Sequence, residues 1–447
     1  MKLAERSSFS VAQNPGICRF RPQVVRLLVA VVMLCIAGRG QTTAGAKDSQ
    51  EETVKALLRR VDQLEARVKL LEEEGKTGSA PSPTPGSGQT TTPPESEAEQ
   101  PQSEHAEPER MDVSKTLLRI RGFGDINFHG DNQKGDTTSF TLGQLNLFVT
   151  SDISDKFKFL SEIVFEGGPD KIYGVTRGQR NAFGVDVERM IVQYSHNDYF
   201  NLTAGRFHTA IGYYNTAYHH STWLQTTTGR PFLFDFEDRG GILPIHTVGV
   251  SASGLIPSGK LGLHYVAEVG NGRESRSPFT EEPVQNVIDE QNHKAFNLAL
   301  FARPEALRGL QAGFSVYRDL LAPSAAPAVG ETILAAHAVY IRPSFEWLNE
   351  AMVIRHAPEG QRVFQTPGFY TQISKRFGSY RPYFRYQYVN SSSNEPIFPD
   401  VGRRQGPSAG IRYDASESVA LKLQYDYTSI RNQQAISALA LQMGFTF

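Results

Sequence analysis

The chain has 447 residues and carries 46 Lys and Arg against 47 Asp and Glu, a formal net charge of −1 at pH 7. No stretch approaches the roughly 20 consecutive apolar residues of a spanning helix, which argues against a helical membrane anchor in the mature protein. The length allows two or three structural units.

Residues 1–46 have the organisation of an export signal. A region rich in Lys and Arg precedes the apolar run 27–37, and Ala44-Gly45-Ala46 follows it as an A-x-A cleavage site. We predict a signal peptide over residues 1–46 and a mature chain that begins at Lys47. The alternative for the apolar run is a buried core helix.

Cleavage would remove both cysteines, Cys18 and Cys35, and with them cysteine catalysis, thiolate metal sites and disulfides. Lipidation of Cys35 is an alternative, although Met33-Leu34 before it lacks the usual small residue. The signal also holds six of the basic residues and only Glu5 among the acidic ones, which leaves 40 basic and 46 acidic residues. A mature charge of about −6 argues against a nucleic-acid binder.

Residues 47–74 are predicted to form a periplasmic coiled coil. Two apolar series run seven residues apart and are offset by three, which is an a/d seam. Arg60 and Arg67 precede Glu65 and Glu72 by five residues, as in parallel pairing. Val at a with Leu at d favours a dimer, but the repeated R-h-x-x-h-E pattern resembles short trimeric coiled coils, so we prefer a homotrimer. The proposed trimerisation residues are Val54, Leu57, Val61, Leu64, Val68 and Leu71.

Residues 75–116 consist mainly of Pro, Ser, Thr, Gly, Glu and Gln. This composition cannot bury a core, so we predict a flexible linker, partly extended by its prolines.

Residues 117–447 are predicted to form an all-β, 16-stranded antiparallel transmembrane barrel. Apolar residues alternate with polar ones in segment after segment, although a soluble sandwich would alternate in the same way. Short turns alternate with long loops, which is typical of outer-membrane barrels with both termini in the periplasm. The turns are expected near 154–155, 196–197, 257–258, 304–305, 342–343, 378–379 and 416–417, and the loops near 130–137, 167–182, 209–241, 271–291, 321–329, 357–361, 391–402 and 431–434.

The ends of the predicted strands carry further membrane signals. Aromatic residues cluster there, as expected for an interfacial girdle, at Tyr194, Tyr199, Phe200, Phe377, Tyr380 and Tyr383. The last strand, with Phe445 and Phe447, resembles the insertion signal of bacterial outer-membrane proteins. Because an open edge cannot face lipid, this strand should pair with the strand Leu117–His129.

Several of the alternate strand residues that would face the lumen are basic. The strands that carry them become neighbours when the barrel closes. We predict a basic wall that biases ion passage, next to Asp125, Asp414 and Asp426. The alternative is charge that only keeps the lumen solvated. The wall comprises Arg119, Arg121, Arg381, Arg385, Arg412 and Lys422.

The longest loop, residues 209–241, follows the fifth strand and is rich in aromatic residues. We predict that it folds inward as a constriction loop, with its acids opposite the basic wall; a self-packed surface loop is the alternative. Its candidate site residues are Tyr213, Tyr214, His219, His220, Arg230, Asp235, Glu237, Asp238 and Arg239.

The sequence gives little indication of metal binding, cofactor binding or catalysis. His208, His219, His220 and His246 show no H-x-x-x-H or H-E-x-x-H spacing, so no metal site is predicted. Nucleotide-binding fingerprints are absent, and we expect neither a cofactor nor an enzyme such as an outer-membrane lipase, which would need a lipid-facing Ser-His pair.

Signal peptide, coiled coil, linker and barrel together resemble the outer-membrane porin superfamily, especially phosphate-selective-porin-like members. Asn201 to Phe207, followed by Ile211-Gly212-Tyr213, looks like the strand-to-loop stretch of these barrels. The resemblance implies passive diffusion of small polar solutes, with anions as a candidate, through a homotrimer in the outer membrane of a Gram-negative bacterium. It also implies contact with lipid, lipopolysaccharide and the barrel assembly machinery. The alternative is a tether between the outer membrane and the cell wall.

Overall fold

A computed structural model describes residues 118–447 except 136, 168–182, 219–221, 237–240, 274–288, 290–291 and 323–326. The predicted signal peptide, coiled coil with its six seam residues, and linker lie outside the described residues, so these stay predictions.

The described residues form sixteen strands that close into one antiparallel barrel. Each strand pairs with its neighbours in the chain, and β1 closes the barrel against β16. The barrel predicted from alternation is therefore confirmed. The strands are β1 (Leu118–Asp131), β2 (Ser139–Asp152), β3 (Phe157–Gly167), β4 (Phe183–Asn197), β5 (Phe200–His208), β6 (His246–Ile256), β7 (Leu263–Asn271), β8 (Lys294–Ala302), β9 (Leu310–Leu321), β10 (Val329–Arg342), β11 (Phe345–Pro358), β12 (Phe364–Lys375), β13 (Tyr380–Asn390), β14 (Arg403–Asp414), β15 (Val419–Ile430) and β16 (Ile436–Thr446).

The two ends of the barrel differ in their connections, as the sequence predicts. One end, where β1 begins and β16 ends, has short connections at 153–156, 198–199, 257–262, 303–309, 343–344, 376–379 and 415–418. The other end has connections at 132–138, 168–182, 209–245, 272–293, 322–328, 359–363, 391–402 and 431–435. The longest connections, 168–182, 209–245, 272–293 and 391–402, all lie at this second end, as predicted. The connections 359–363 and 431–435, predicted as loops, are shorter than 303–309 at the first end.

Alternate residues of each strand face opposite sides of the barrel wall. On β15, Leu421 and Tyr425 are 43% and 47% exposed, whereas Lys422 and Gln424 between them are buried. An apolar outer face and a polar inner face are what a transmembrane barrel requires. Tyr383 corrects the predicted girdle: it is buried, and its hydroxyl donates to Gln424 Oε1 at 2.9 Å inside the barrel.

The closing seam between β1 and β16 has the predicted partners. Gly124 lies opposite Phe445, and the backbone N–H groups of Gly122 and Phe447 each donate to the other residue's carbonyl at 3.0 Å. The rings of Phe447 and Phe445 lie over the two glycines, where a Cβ would collide with them. The absent side chains therefore make room for aromatic packing across the seam.

Replacing Gly124 by valine is expected to weaken this seam. A Cβ at this position would lie 2.5 Å from the Phe445 ring, and overpacking of this kind costs about 1–3 kcal/mol. The temperature at which the folded, fast-migrating form is lost in a heat-modifiability gel should fall. The matched control is Gly184→Val, because no atom lies within 4 Å of a Cβ at Gly184. Equal transition temperatures for the two variants would contradict this account.

A register shift in β1 places Asp125 inside the barrel. The pairing of β1 with β2 is interrupted between Gly124 and Ile126. The carboxyl group of Asp125 occupies the space where a Cβ of Gly143 would lie, and Gln144 N donates to Asp125 Oδ1 at 3.0 Å. Such bulges commonly redirect a single side chain.

The main hydrophobic core lies inside the barrel, between the connection 209–245 and the wall formed by β9 to β13. Its loop residues include Ile211, Tyr214, Leu233, Phe234, Leu243 and Ile245, and its wall residues include Tyr317, Ile333, Leu348, Met352, Tyr370 and Val389. Among the residues that the structure describes, no helix is long and apolar enough to cross a membrane.

Candidate functional site

The connection 209–245, which we call the crossing loop, enters the barrel after β5 and reaches the opposite wall. It contains a short helix, α1 (Tyr214–Ala217), and a 3-10 turn at Phe232–Phe234. Its side chains are too apolar to remain in water, and burying them against β9 to β13 removes them from solvent. The loop contacts two sets of charged side chains on the inner face of the wall, and Gln372 hydrogen-bonds to a member of each, Glu346 and Arg385.

The first set, the acidic clamp, consists of Glu268, Glu346 and Glu350, and it accepts hydrogen bonds from the start of the loop. Tyr213 N donates to Glu350 Oε2 at 2.5 Å and Tyr214 N donates to Glu350 Oε1 at 2.9 Å. A carboxylate at this place satisfies the free N–H groups that open α1. Ala210 N donates to Glu268 Oε2 at 3.0 Å, so the clamp holds the loop from two strands.

Gly212 makes the turn that brings these N–H groups to the acidic clamp. Its φ of +69° is in the left-handed region, and a Cβ on it would collide with Glu350 Oε2. Only glycine tolerates both the conformation and the close approach. Glu346 then receives two hydroxyl groups, from Tyr218 and Thr226, each at 3.1 Å.

The phenols beside the acidic clamp stay protonated. Burial, followed by the charge of Glu346, raises the pKa of Tyr213 to about 12. The same two causes raise the pKa of Tyr218 well above its ordinary value. Tyr218 is therefore a hydrogen-bond donor to Glu346 throughout the physiological pH range.

The second set, the basic clamp, consists of Arg385, Arg412 and Lys422 on β13, β14 and β15, and it donates to loop carbonyls. Lys422 Nζ donates to Thr227 O at 2.9 Å, to Gln442 Oε1 at 2.8 Å and to Thr222 O. All three ammonium donors are therefore used. The closeness of Lys422 to Arg412 follows from their pairing across β14 and β15.

The two arginines of the basic clamp extend this contact along the loop. Arg412 Nη1 donates to Trp223 O at 2.5 Å and to Gln225 O at 3.0 Å. Arg385 Nη1 donates to Gly229 O at 3.0 Å, and its Nη2 donates to Thr227 Oγ1. The basic side chains thus bind the loop backbone rather than its carboxylates.

The other three residues of the predicted basic wall lie elsewhere. Arg119 and Arg121 are exposed near the end with short connections, where Arg119 Nη1 is 3.3 Å from Asp152 Oδ2. Arg381 is half-buried and donates to Pro343 O at 3.3 Å in the β10–β11 turn. The structure therefore brings Arg385, Arg412 and Lys422 together and leaves the other three apart from the loop.

The described members of the predicted constriction loop occupy the interior of the barrel. Tyr214 is buried, and its hydroxyl donates to Gln225 Oε1. The guanidinium of Arg230 lies 5.5 Å from the centroid of the Tyr214 ring and 3.9 Å from that of Phe236. The inward direction predicted for the loop is what the structure has. His219, His220, Glu237, Asp238 and Arg239 lie outside the described residues.

A cavity of about 720 Å³ remains between the crossing loop and the wall formed by β1, β2, β13, β15 and β16. Its charged lining residues are Asp125, Asp235 and Asp426 against Arg230 and Arg385, with His129 near them. Most of the remaining lining is amide or hydroxyl: Asn127, Thr137, Ser139, Thr141, Gln144, Thr222, Gln225, Thr228, Gln387, Gln424, Thr428 and Gln442.

His208 and His246, the two described histidines among the metal candidates, each lie beside a glutamate in the wall. His246 Nε2 is 2.6 Å from Glu188 Oε2, and His208 Nε2 is 3.7 Å from Glu162 Oε2. Arg189 also pairs with Glu162, at 2.6 Å. Within the described part of the chain, no group of three His, Cys, Asp or Glu side chains is arranged to hold a metal ion.

The barrel is similar in fold to solved outer-membrane proteins. No family model and no curated protein matches the sequence. OmpF of Salmonella typhi, solved with daunomycin, matches with a TM-score of 0.51 at 10% identity, covering 74% of this chain and 97% of that one. An anion-selective porin from Comamonas acidovorans matches with a TM-score of 0.50 at 12% identity, covering 74% and 100%. The outer-membrane channel DcaP of Acinetobacter baumannii gives 0.50 at 12%, covering 75% and 98%.

The chain has the porin fold. At these identities the likeness extends to the fold alone, so the crossing loop and its clamps have to be understood from this chain's own residues. Within the porin fold, a barrel of sixteen strands is too wide for wall side chains to fill. The crossing loop fills one side of it and leaves the cavity on the other.

The acidic clamp is the part of the site that sequence reasoning missed. Glu346 and Glu350 lie four residues apart on the inner face of β11, and both are buried. The available signal was acidic residues at lumen-facing positions of a strand, the same signal that identified the basic wall. Their partners were not predictable, since Tyr213 and Glu350 are 137 residues apart in the sequence.

Proposed function

We propose that this protein is an outer-membrane channel through which small polar solutes diffuse passively. The observation that supports this proposal best is the polar cavity beside the crossing loop in a closed barrel. Burying an apolar loop against one side narrows the barrel, and amides and hydroxyls keep the other side hydrated. A narrow polar passage of this kind admits solutes by size.

The hydrogen bonds that the basic clamp already makes affect which ions the channel should prefer. The porin resemblance implies anions as a candidate, and the predicted basic wall would bias ion passage. However, Lys422, Arg385 and Arg412 are buried and donate to the crossing loop. Donors already used by the protein are poor ligands for a passing anion. We therefore propose weak ion selectivity rather than anion selectivity.

The test is reconstitution of the purified barrel in planar bilayers. Discrete conductance steps in KCl are expected, with a reversal potential close to zero in a KCl gradient. An absence of steps from protein that remains heat-modifiable would rule out the channel. A strongly anion-selective reversal potential would restore the expectation from the sequence while leaving the channel in place.

The homotrimer and the tether depend on residues outside those described, and they stay predictions. Deleting residues 47–116 should leave the conductance of each barrel unchanged if the barrel alone forms the channel. Chemical cross-linking of the same variant should show fewer trimers if the coiled coil contributes to assembly. Detachment of the outer membrane in cells with this deletion would favour the tether.

A further inference from the structure

The cavity beside the crossing loop has a lining that can distinguish between classes of solute. Its volume of about 720 Å³ falls within the range of about 300–1,000 Å³ found for small-molecule sites. It is bordered by the side-chain amides of Asn127, Gln387, Gln424 and Gln442. An amide offers both donors and an acceptor, so it suits a ligand group that does the same.

Two cations near this cavity already hold the crossing loop. All three donors of Lys422 are used, by Thr222 O, Thr227 O and Gln442 Oε1. Arg385 uses Nε on Gln372 Oε1 and both Nη atoms on the crossing loop. An anion bound to either side chain would compete with bonds that hold the loop.

The carboxylates of Asp125 and Asp426 bind neutral amide groups rather than the crossing loop's charged partners. Asp426 accepts from Gln424 Nε2 at 2.9 Å with each oxygen, and Asp125 accepts from the Asn127 and Gln442 side-chain amides at 2.5 and 3.3 Å. No Lys, Arg or His among the described residues lies within 4 Å of either carboxylate. Asp125 also accepts from Gln144 N at 3.0 Å. Since a carboxylate has about four acceptor sites, Asp426 has more capacity than Asp125 for further hydroxyl groups.

Charges of both signs border the cavity. Asp125, Asp235 and Asp426 line it together with Arg230 and Arg385, and the ammonium of Lys422 contacts the lining residues Thr222 and Gln442. With carboxylates and guanidinium groups interspersed, the lining does not present a field of a single sign to a solute. The remaining recognition elements are hydrogen-bonding groups and the apolar surface of Phe232 and Phe236 at its border.

We propose that this cavity is a binding subsite for a neutral polyhydroxylated solute of mono- or disaccharide size. The carboxylate of Asp426 accepts ligand hydroxyls, the amides donate to and accept from others, and the phenylalanines contact the ligand's C–H groups. The proposal rests on the proposed channel function and adds a solute class to it.

The test is sugar block of single-channel current in planar bilayers, with maltose and glucose as neutral probes and gluconate and glucosamine as charged ones. Maltose should block the current in a saturable manner, and the charged probes should block less at equal concentration. Asp426→Ala should raise the half-blocking concentration about tenfold, because a hydrogen bond to a charged group is lost. The matched control is Asp198→Ala, at an exposed position in the β4–β5 turn, which should leave block unchanged.

The outcomes separate the subsite from the channel. Conductance steps without saturable block by either neutral sugar would overturn the subsite and leave the channel in place. An absence of steps in sugar-free KCl would overturn the channel itself. Stronger block by gluconate would indicate an anion site, and stronger block by glucosamine a cation site, and either result would overturn the proposal. Heat-modifiability of both variants shows that they are folded.

Discussion

Replacing Lys422 by methionine is expected to loosen the middle of the crossing loop without unfolding the barrel. The carbonyls of Thr222 and Thr227 would lose a charged donor, and a buried polar group left unpaired costs about 1–3 kcal/mol. Since about 1.4 kcal/mol is tenfold in an equilibrium constant, displaced conformations of the loop should become at least tenfold more populated. The wall itself tolerates methionine, which has a similar length and no charge to bury.

Single-channel recordings measure this change. The Lys422→Met channel should show frequent transitions to larger conductance levels, because the loop no longer stays against β15 and β16. The control is Lys158→Met, which removes the same charge from an exposed position on β3 opposite Asp152. If the two variants give the same traces as the unmodified protein, Lys422 does not hold the loop.

Replacing Glu350 by glutamine is expected to detach the start of the crossing loop from β11. The carboxylate accepts from Tyr213 N, Tyr214 N and the Tyr370 hydroxyl, at 2.5, 2.9 and 2.6 Å. Glutamine would replace one acceptor oxygen with an N–H₂ donor that faces an N–H group. At about 1–3 kcal/mol for each buried group left unpaired, the helix α1 and the adjoining tyrosines should separate from the wall.

Limited proteolysis tests this expectation. Chymotrypsin should cleave Glu350→Gln protein after Tyr213 or Tyr214 at least about tenfold faster, in proportion to the population of the detached loop. The matched control is Glu359→Gln, at an exposed position in the β11–β12 connection. Equal cleavage of the two variants, with both barrels heat-modifiable, would show that Glu350 is not an anchor.

The barrel was predictable because its signals are local. Alternation such as that of Leu421, Lys422, Leu423 and Gln424 depends only on the pleat, which sends successive side chains to opposite faces. Closure follows from the cost of an open edge in lipid, and it identifies β1 and β16 as partners from the sequence alone. Tyr383 shows the limit of prediction from local signals. An aromatic residue at a strand end gives the same sequence pattern whether it faces lipid or the lumen.

The candidate site was predictable only in part. The length and apolar character of the crossing loop predict an inward path, since so many aromatic side chains cannot remain in water. Which wall groups would meet the loop could not be predicted. Lys422 and Thr222 are 200 residues apart, and their contact depends on the register of the strands between them and on the turn at Gly212.

The sequence by itself determined the class of this protein: sixteen strands with one apolar face each, alternating short and long connections, and an aromatic last strand. It also determined which residues of the wall are charged. Only the tertiary structure decided what those charges do. Because a loop with free backbone N–H and C=O groups enters the barrel, inner carboxylates and cations become its hydrogen-bond partners. The side of the barrel that the loop leaves open therefore has an amide-rich lining with charges of both signs, which the sequence of the strands alone does not reveal.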